Sequence, residues 1–202
     1  MMNDILNLAK KYVEGLSHVE TRRIQWAEKY KLLTDHLKEI ADYLNKNAPF
    51  KPGFFVDTFY AFDEAINGTC VEMPSVTFRS GDLPMDILFK GEDGNQVAYF
   101  EKGFQITFNP TPTGQIAVLL FPHHNNFHQE QEGFTPLLVI NDLNDLTMNL
   151  IDEIVHKGME AAFYSSFVGM AEHPNGNPNV NAAPQSYSPI GFKRFESTEK
   201  KQ

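Results

Sequence analysis

The chain has 202 residues, a single cysteine and a net charge of −9, with 42% hydrophobic and 21% charged residues. That size supports one full core, or one core with an appended element, and the composition excludes an extended disordered chain. Residues 49–170 hold five Lys/Arg against sixteen Asp/Glu, a local charge of −11 that repels phosphate backbones and argues against a nucleic-acid partner.

The opening Met1-Met2-Asn3-Asp4 has no basic stretch leading into an apolar one. No apolar run approaches the ~20 residues needed to cross a bilayer. Cys70 stands alone, which rules out an internal disulfide and fits a reducing compartment. A cytoplasmic protein without a membrane partner is the expectation.

The first 44 residues carry one hydrophobic rhythm. Ile5, Ala9, Tyr12, Leu16, Val19, Trp26, Tyr30, Leu33, Leu37, Ile40 and Leu44 follow an alternating four–three spacing broken only at Arg23. This is the seam by which one helix buries a stripe against a partner. It predicts a helix from about Asp4 to Asn47, stopped by Pro49 and Pro52, and at the usual rise it is roughly 60 Å long. Ser17 and Glu20 have the form of a capping box after Gly15, the rival reading being a break there, yet the four–three phase runs through it.

Residues 53–67 are two-faced. Phe55, Phe59, Phe62 and Ile66 keep helical spacing, while Phe54, Val56, Thr58, Tyr60 and Phe62 alternate as in a strand. Asp63-Glu64 ahead of Asn67-Gly68 tips the reading to a helix. Short β-branched or aromatic runs follow at Ser75–Arg79, Met85–Lys90, Gln96–Glu101, Phe104–Asn109, Gln115–Phe121 and Leu137–Ile140. The brief connections between them, above all Gly91–Asn95, suit antiparallel neighbours in a meander. Asn141-Asp142 then caps a helix over about Leu143–Val168, with Leu143, Thr147, Leu150, Ile154, Gly158 and Ala161 on its inner line. Leu119, Phe121, Leu150 and Ile154 are expected to be nearly inaccessible. Residues 171–202 form an irregular tail anchored by Tyr187, Ile190, Phe192 and Phe195.

Chemistry is sparse. His123, His124 and His128 lie in the densest cluster of ligand-type side chains, and imidazoles with a water can make a hydrolytic metal site. Their spacing fits no specific metalloenzyme signature, and a solvated polar loop accounts for them without a cofactor. Asp57, Asp63, Glu64 and Glu72 read as a solvated acidic face, and Cys70 as a small buried hydrophobe. Seventeen Phe either fill the core or leave an apolar cavity.

The fold expected is therefore α+β. A long N-terminal helix (1–48) precedes a body (49–170) with an antiparallel meander sheet of five or six strands and a C-terminal helix packed on it, then the tail. A helix of that length outruns a body some 30 Å across, so part of its stripe needs a second chain. Val19, Trp26, Tyr30, Leu33, Leu37, Ile40 and Leu44 are the residues expected to meet it. The leading functional expectation is a non-catalytic binding or assembly protein, an adaptor or chaperone-like homodimer. One alternative is a carrier of a small apolar ligand in a Phe-rich cavity. The other is a metal-dependent enzyme or sensor built on the three histidines.

Overall fold

The computed structural model describes residues 2–48, 50–66, 69–90, 93–125 and 133–172, with side chains throughout these except at 60–72, 87, 89, 125 and 170–172. The first element is a single helix, α1 (Met2–Asn47), which runs unbroken through Gly15 as the spacing predicts. A Cβ at Gly15 would meet nothing within 4 Å, so the residue sits on an open helix surface. The last turn of α1 is fastened to the next element by Asn45. Its Nδ2 donates to the Phe54 carbonyl and its Oδ1 accepts from the Phe54 N–H, each at 2.9 Å.

That next element corrects the helical reading of 53–67. Phe54–Ile66 is a strand, β1, paired antiparallel with β2 (Thr69–Ser80). The period-two pattern wins because each face has a destination. Phe54 and Val56 pack on the core, while Phe55 and Phe59 are exposed. Asp57 accepts from the Arg79 Nε on β2, whose guanidinium also lies over the Phe55 ring. An ion pair and a ring contact across the ladder outweigh a weak helix stop.

The remaining strands are β3 (Leu83–Lys90), β4 (Gln96–Lys102), β5 (Gln105–Pro110), β6 (Ile116–Phe121), β7 (His124–Asn125) and β8 (Thr135–Ile140). Five form an antiparallel sheet in the order β1-β2-β5-β6-β8, and β3-β4-β7 form a second, smaller sheet. The α+β class and the five-stranded antiparallel sheet are as the sequence indicates, but the meander is interrupted. The β3–β4 hairpin leaves after β2 and returns before β5. At its neck Ser80 N–H donates to the Phe104 carbonyl, Phe104 N–H to Ser80 Oγ, and Gly103 N–H to Asp82 Oδ1. Gly103 lies so close to Ser80 that a Cβ would fall 2.2 Å from its carbonyl oxygen. Only glycine lets the two chain segments cross there.

One face of the large sheet is the core. Val76 faces Phe108, Phe78 faces Ile106, and Ile106 and Phe108 face Leu120 and Val118 across the ladder, all of them buried. This parity corrects the expected core. Leu120 and Val118 point inward, so Leu119 and Phe121 fall on the opposite face and are only half-buried. Trp26, Leu33, Leu37 and Ala41 of α1 cover the inner face, and Trp26 Nε1 donates to the Pro74 carbonyl at 3.0 Å.

The second covering element also differs from expectation. Asp142 caps a single 3₁₀ turn, Leu143–Asp145. Thr147 is the cap of the true helix, α2 (Met148–Ser165), its Oγ1 accepting from Leu150 N–H. A short α3 (Phe167–Glu172) follows a break at Ser166. Ile151, Ile154, Val155, Gly158 and Ala162 form the inner line of α2. Leu150 is half-buried and Ala161 exposed. His36 Nε2 and Asp152 Oδ1, 2.8 Å apart, join α1 to α2. No described helix is long and apolar enough to cross a membrane.

Candidate functional site

The seam of α1 divides into two halves. Of the residues expected to meet a partner, Trp26, Leu33 and Leu37 are wholly buried, and Tyr30, Ile40 and Leu44 pack against the same core. Val19 is half-buried at the tip of the β5–β6 turn, where Gly114 (φ +76°) comes against the Val19 carbonyl and the Arg22 side chain. Arg22 and Arg23 donate to the carbonyls of Thr113 and Pro112 in that turn. The other six side chains pack into the chain's own core, and from Val19 onward α1 lies on the body. What the body leaves uncovered is the other half. Every residue from Met2 to His18 is exposed, including Met2, Ile5, Leu6, Leu8, Tyr12, Val13 and Leu16.

A second feature is a cavity of about 290 Å³ between the neck of the β3–β4 hairpin and the junction of α2 with α3. Its walls are apolar: Phe50, Phe54, Leu83, Phe104, Met159, Phe163 and Val168. Phe54, Phe78 and Phe104 form a ring cluster with centroids 5.9 to 6.4 Å apart. The Phe-rich stretch thus does both things weighed for it, since Phe78 and Phe108 fill the core while others wall a cavity.

Four polar side chains interrupt the apolar wall: Ser80, Glu101, His123 and Ser166. Glu101 is the only buried residue of β4, at 3% exposure. Its Oε1 accepts from the Phe167 N–H at 2.6 Å, satisfying an orphan donor at the start of α3. His123 Nδ1 lies 3.3 Å from the Lys102 carbonyl and 3.8 Å from Glu101 Oε2, and the ring stands edge-on to Phe104. Burial lowers the His123 pKa, opposed by the nearby Glu101 charge and the Lys102 carbonyl. The imidazole is therefore neutral at pH 7, with Nδ1–H donating to Lys102 and Nε2 left as an acceptor. Burial and then the Glu101 charge both raise the Tyr99 pKa, because each disfavours the phenolate.

This placement overturns the solvated loop expected for His123, whose side chain is only 11% exposed. His124 belongs to β7 and lines a second, more polar hollow together with His123. His128 lies outside the described residues, as do the tail residues Tyr187, Ile190, Phe192 and Phe195 and the side chains of Asp63, Glu64, Cys70 and Glu72. Among the described residues no three His, Cys, Asp or Glu side chains are grouped to hold a metal ion. The sequence reading missed Glu101 because one acid at the end of a short strand carries no signal of burial. No family model, curated protein or solved structure matches the chain.

Proposed function

We propose that the chain is a non-catalytic assembly protein, an adaptor or chaperone-like homodimer, joined through residues 2–18 of α1. The observation that carries this reading is the uncovered half of the seam. Ile5, Ala9, Tyr12 and Leu16 keep the four–three spacing of a helix pair but stay exposed among the described residues. At the exposures seen, each large apolar side chain offers on the order of 100 Å², so seven offer roughly 700 Å², close to the ~800 Å² per partner of an ordinary stable interface.

Charge favours a second copy as the occupant. Asp4 and Glu14 balance Lys10 and Lys11, so the segment is neutral while the body is strongly acidic. An antiparallel pairing holds the two acidic bodies apart by about the 25 Å length of the segment, well beyond the ~8 Å screening length of physiological salt. Two differently tagged copies produced together are expected to co-purify. Replacing Tyr12 and Leu16 by Asp puts charge into the seam without touching the core and should abolish co-purification. Unchanged co-purification of that variant would refute the reading.

A further inference from the structure

We infer that the cavity beside Glu101 is a binding site for a small amphipathic amine, an apolar body of one or two rings or a medium-length chain that ends in an ammonium group. The size follows from the volume. At about 290 Å³ the cavity is roughly twice the ~150 Å³ apolar cavity known to accept benzene, and near the lower bound for small-molecule sites. Water gains little there, since most of the wall offers it no hydrogen bond.

The class of head group follows from the polar end. Ser166 Oγ is engaged with the Phe163 carbonyl and the Gly169 N–H, and Ser80 Oγ with the Phe104 N–H. Glu101 Oε1 is taken by Phe167 N–H. Glu101 Oε2 receives no hydrogen bond from the described residues, and its nearest cationic candidate, His123, is 3.8 Å away with its Nδ1 proton directed at Lys102. No described residue donates a hydrogen bond to His123 Nε2 either. The polar end thus presents two acceptors and a negative charge, against which the described residues set only the Ser80 hydroxyl proton, since Ser80 Oγ acts as acceptor toward Phe104 N–H. A buried carboxylate with an open oxygen is costly until a donor or a cation meets it. An ammonium group with three N–H donors meets both requirements, whereas a carboxylate of the same length would set like charges together.

The test uses n-octylamine, n-octanol and n-octanoate as probes of the full chain by calorimetry at pH 7. Octylamine is expected to bind about tenfold or more tightly than octanoate, with octanol between them. Glu101→Gln keeps an oxygen for Phe167 N–H and should remove that preference, so that octylamine no longer binds more tightly than octanol. That result also separates the site from general attraction of amines to an acidic body. Met159→Trp, checked by thermal unfolding for an intact fold, should fill the cavity and weaken all three probes. Failure of octylamine to bind, octanoate binding as tightly as octylamine, or an amine preference that survives Glu101→Gln would each overturn the inference.

Discussion

Gly158 shows how little space separates α2 from the sheet. A Cβ there would lie 2.4 Å from Ile106 Cδ1 and 2.9 Å from its Cγ1, inside the buried face. Gly158→Ala gains helix propensity but drives a methyl group into Ile106, and the steric term is the larger. The expected outcome is a loss of about 1–3 kcal/mol in denaturant unfolding. A stabilised variant would show that α2 can lift from Ile106 at no cost. The sequence reading placed Gly158 on the inner line of its helix, where a neighbour comes close. It could not say which neighbour, since that depends on the sheet's register.

His123 gives a pH prediction at the same scale. Burial holds its pKa below the ordinary 6.5, against the opposing pull of Glu101 and the Lys102 carbonyl. Below pH 6.5 the unfolded chain takes up a proton that the folded chain resists. The stabilising contribution is therefore complete above 6.5 and is lost as pH falls through the lowered folded value. His123→Gln can still donate to the Lys102 carbonyl and does not titrate. Its stability should decline less steeply than that of the unaltered chain between pH 7 and 5, as read by chemical denaturation. Parallel slopes would remove His123 from the account.

At the scale of elements, legibility followed the length of the pattern. The four–three spacing extends over forty residues, from Ile5 to Leu44, and predicted α1 correctly, Gly15 included. Gly15 should still weaken the exposed half, because it loses more backbone freedom than alanine and nothing packs on it. Gly15→Ala is expected to protect the amides around residues 8–18 from hydrogen exchange by up to about 1 kcal/mol, without altering the core. Faster exchange there would mean that the glycine has a contact of its own.

Short patterns were less legible. Phe54–Ile66 carries both periods, and the tie is broken by the Asp57–Arg79 pair and the ladder with β2, neither of which is local. Leu119 and Phe121 were put in the core because a run of Ile, Val, Leu and Phe has no polar residue to set its parity. The ladder with Ile106 and Phe108 sets it instead. The excursion of β3 and β4 rests on the contact of Gly103 with Ser80, more than twenty residues apart in sequence.

For the whole molecule, the sequence argument that α1 outruns its body survives, but which half is left over changes. The large side chains from Trp26 to Leu44 looked like the richest surface for a partner, and for the same reason they are what the sheet buries. The thinner half, 2–18, retains a regular seam that the described residues leave uncovered. An isolated helix of that length is marginal in water, so its persistence leans on the packed half of α1 and, in the proposed assembly, on a second copy. The most direct test is sedimentation equilibrium of the full chain across micromolar concentrations. The account predicts a mass of twice the 23.0 kDa of one chain, falling to 23.0 kDa for the Tyr12→Asp, Leu16→Asp variant with its unfolding midpoint for the core preserved. A mass of 23.0 kDa for the unaltered chain throughout that range would contradict it.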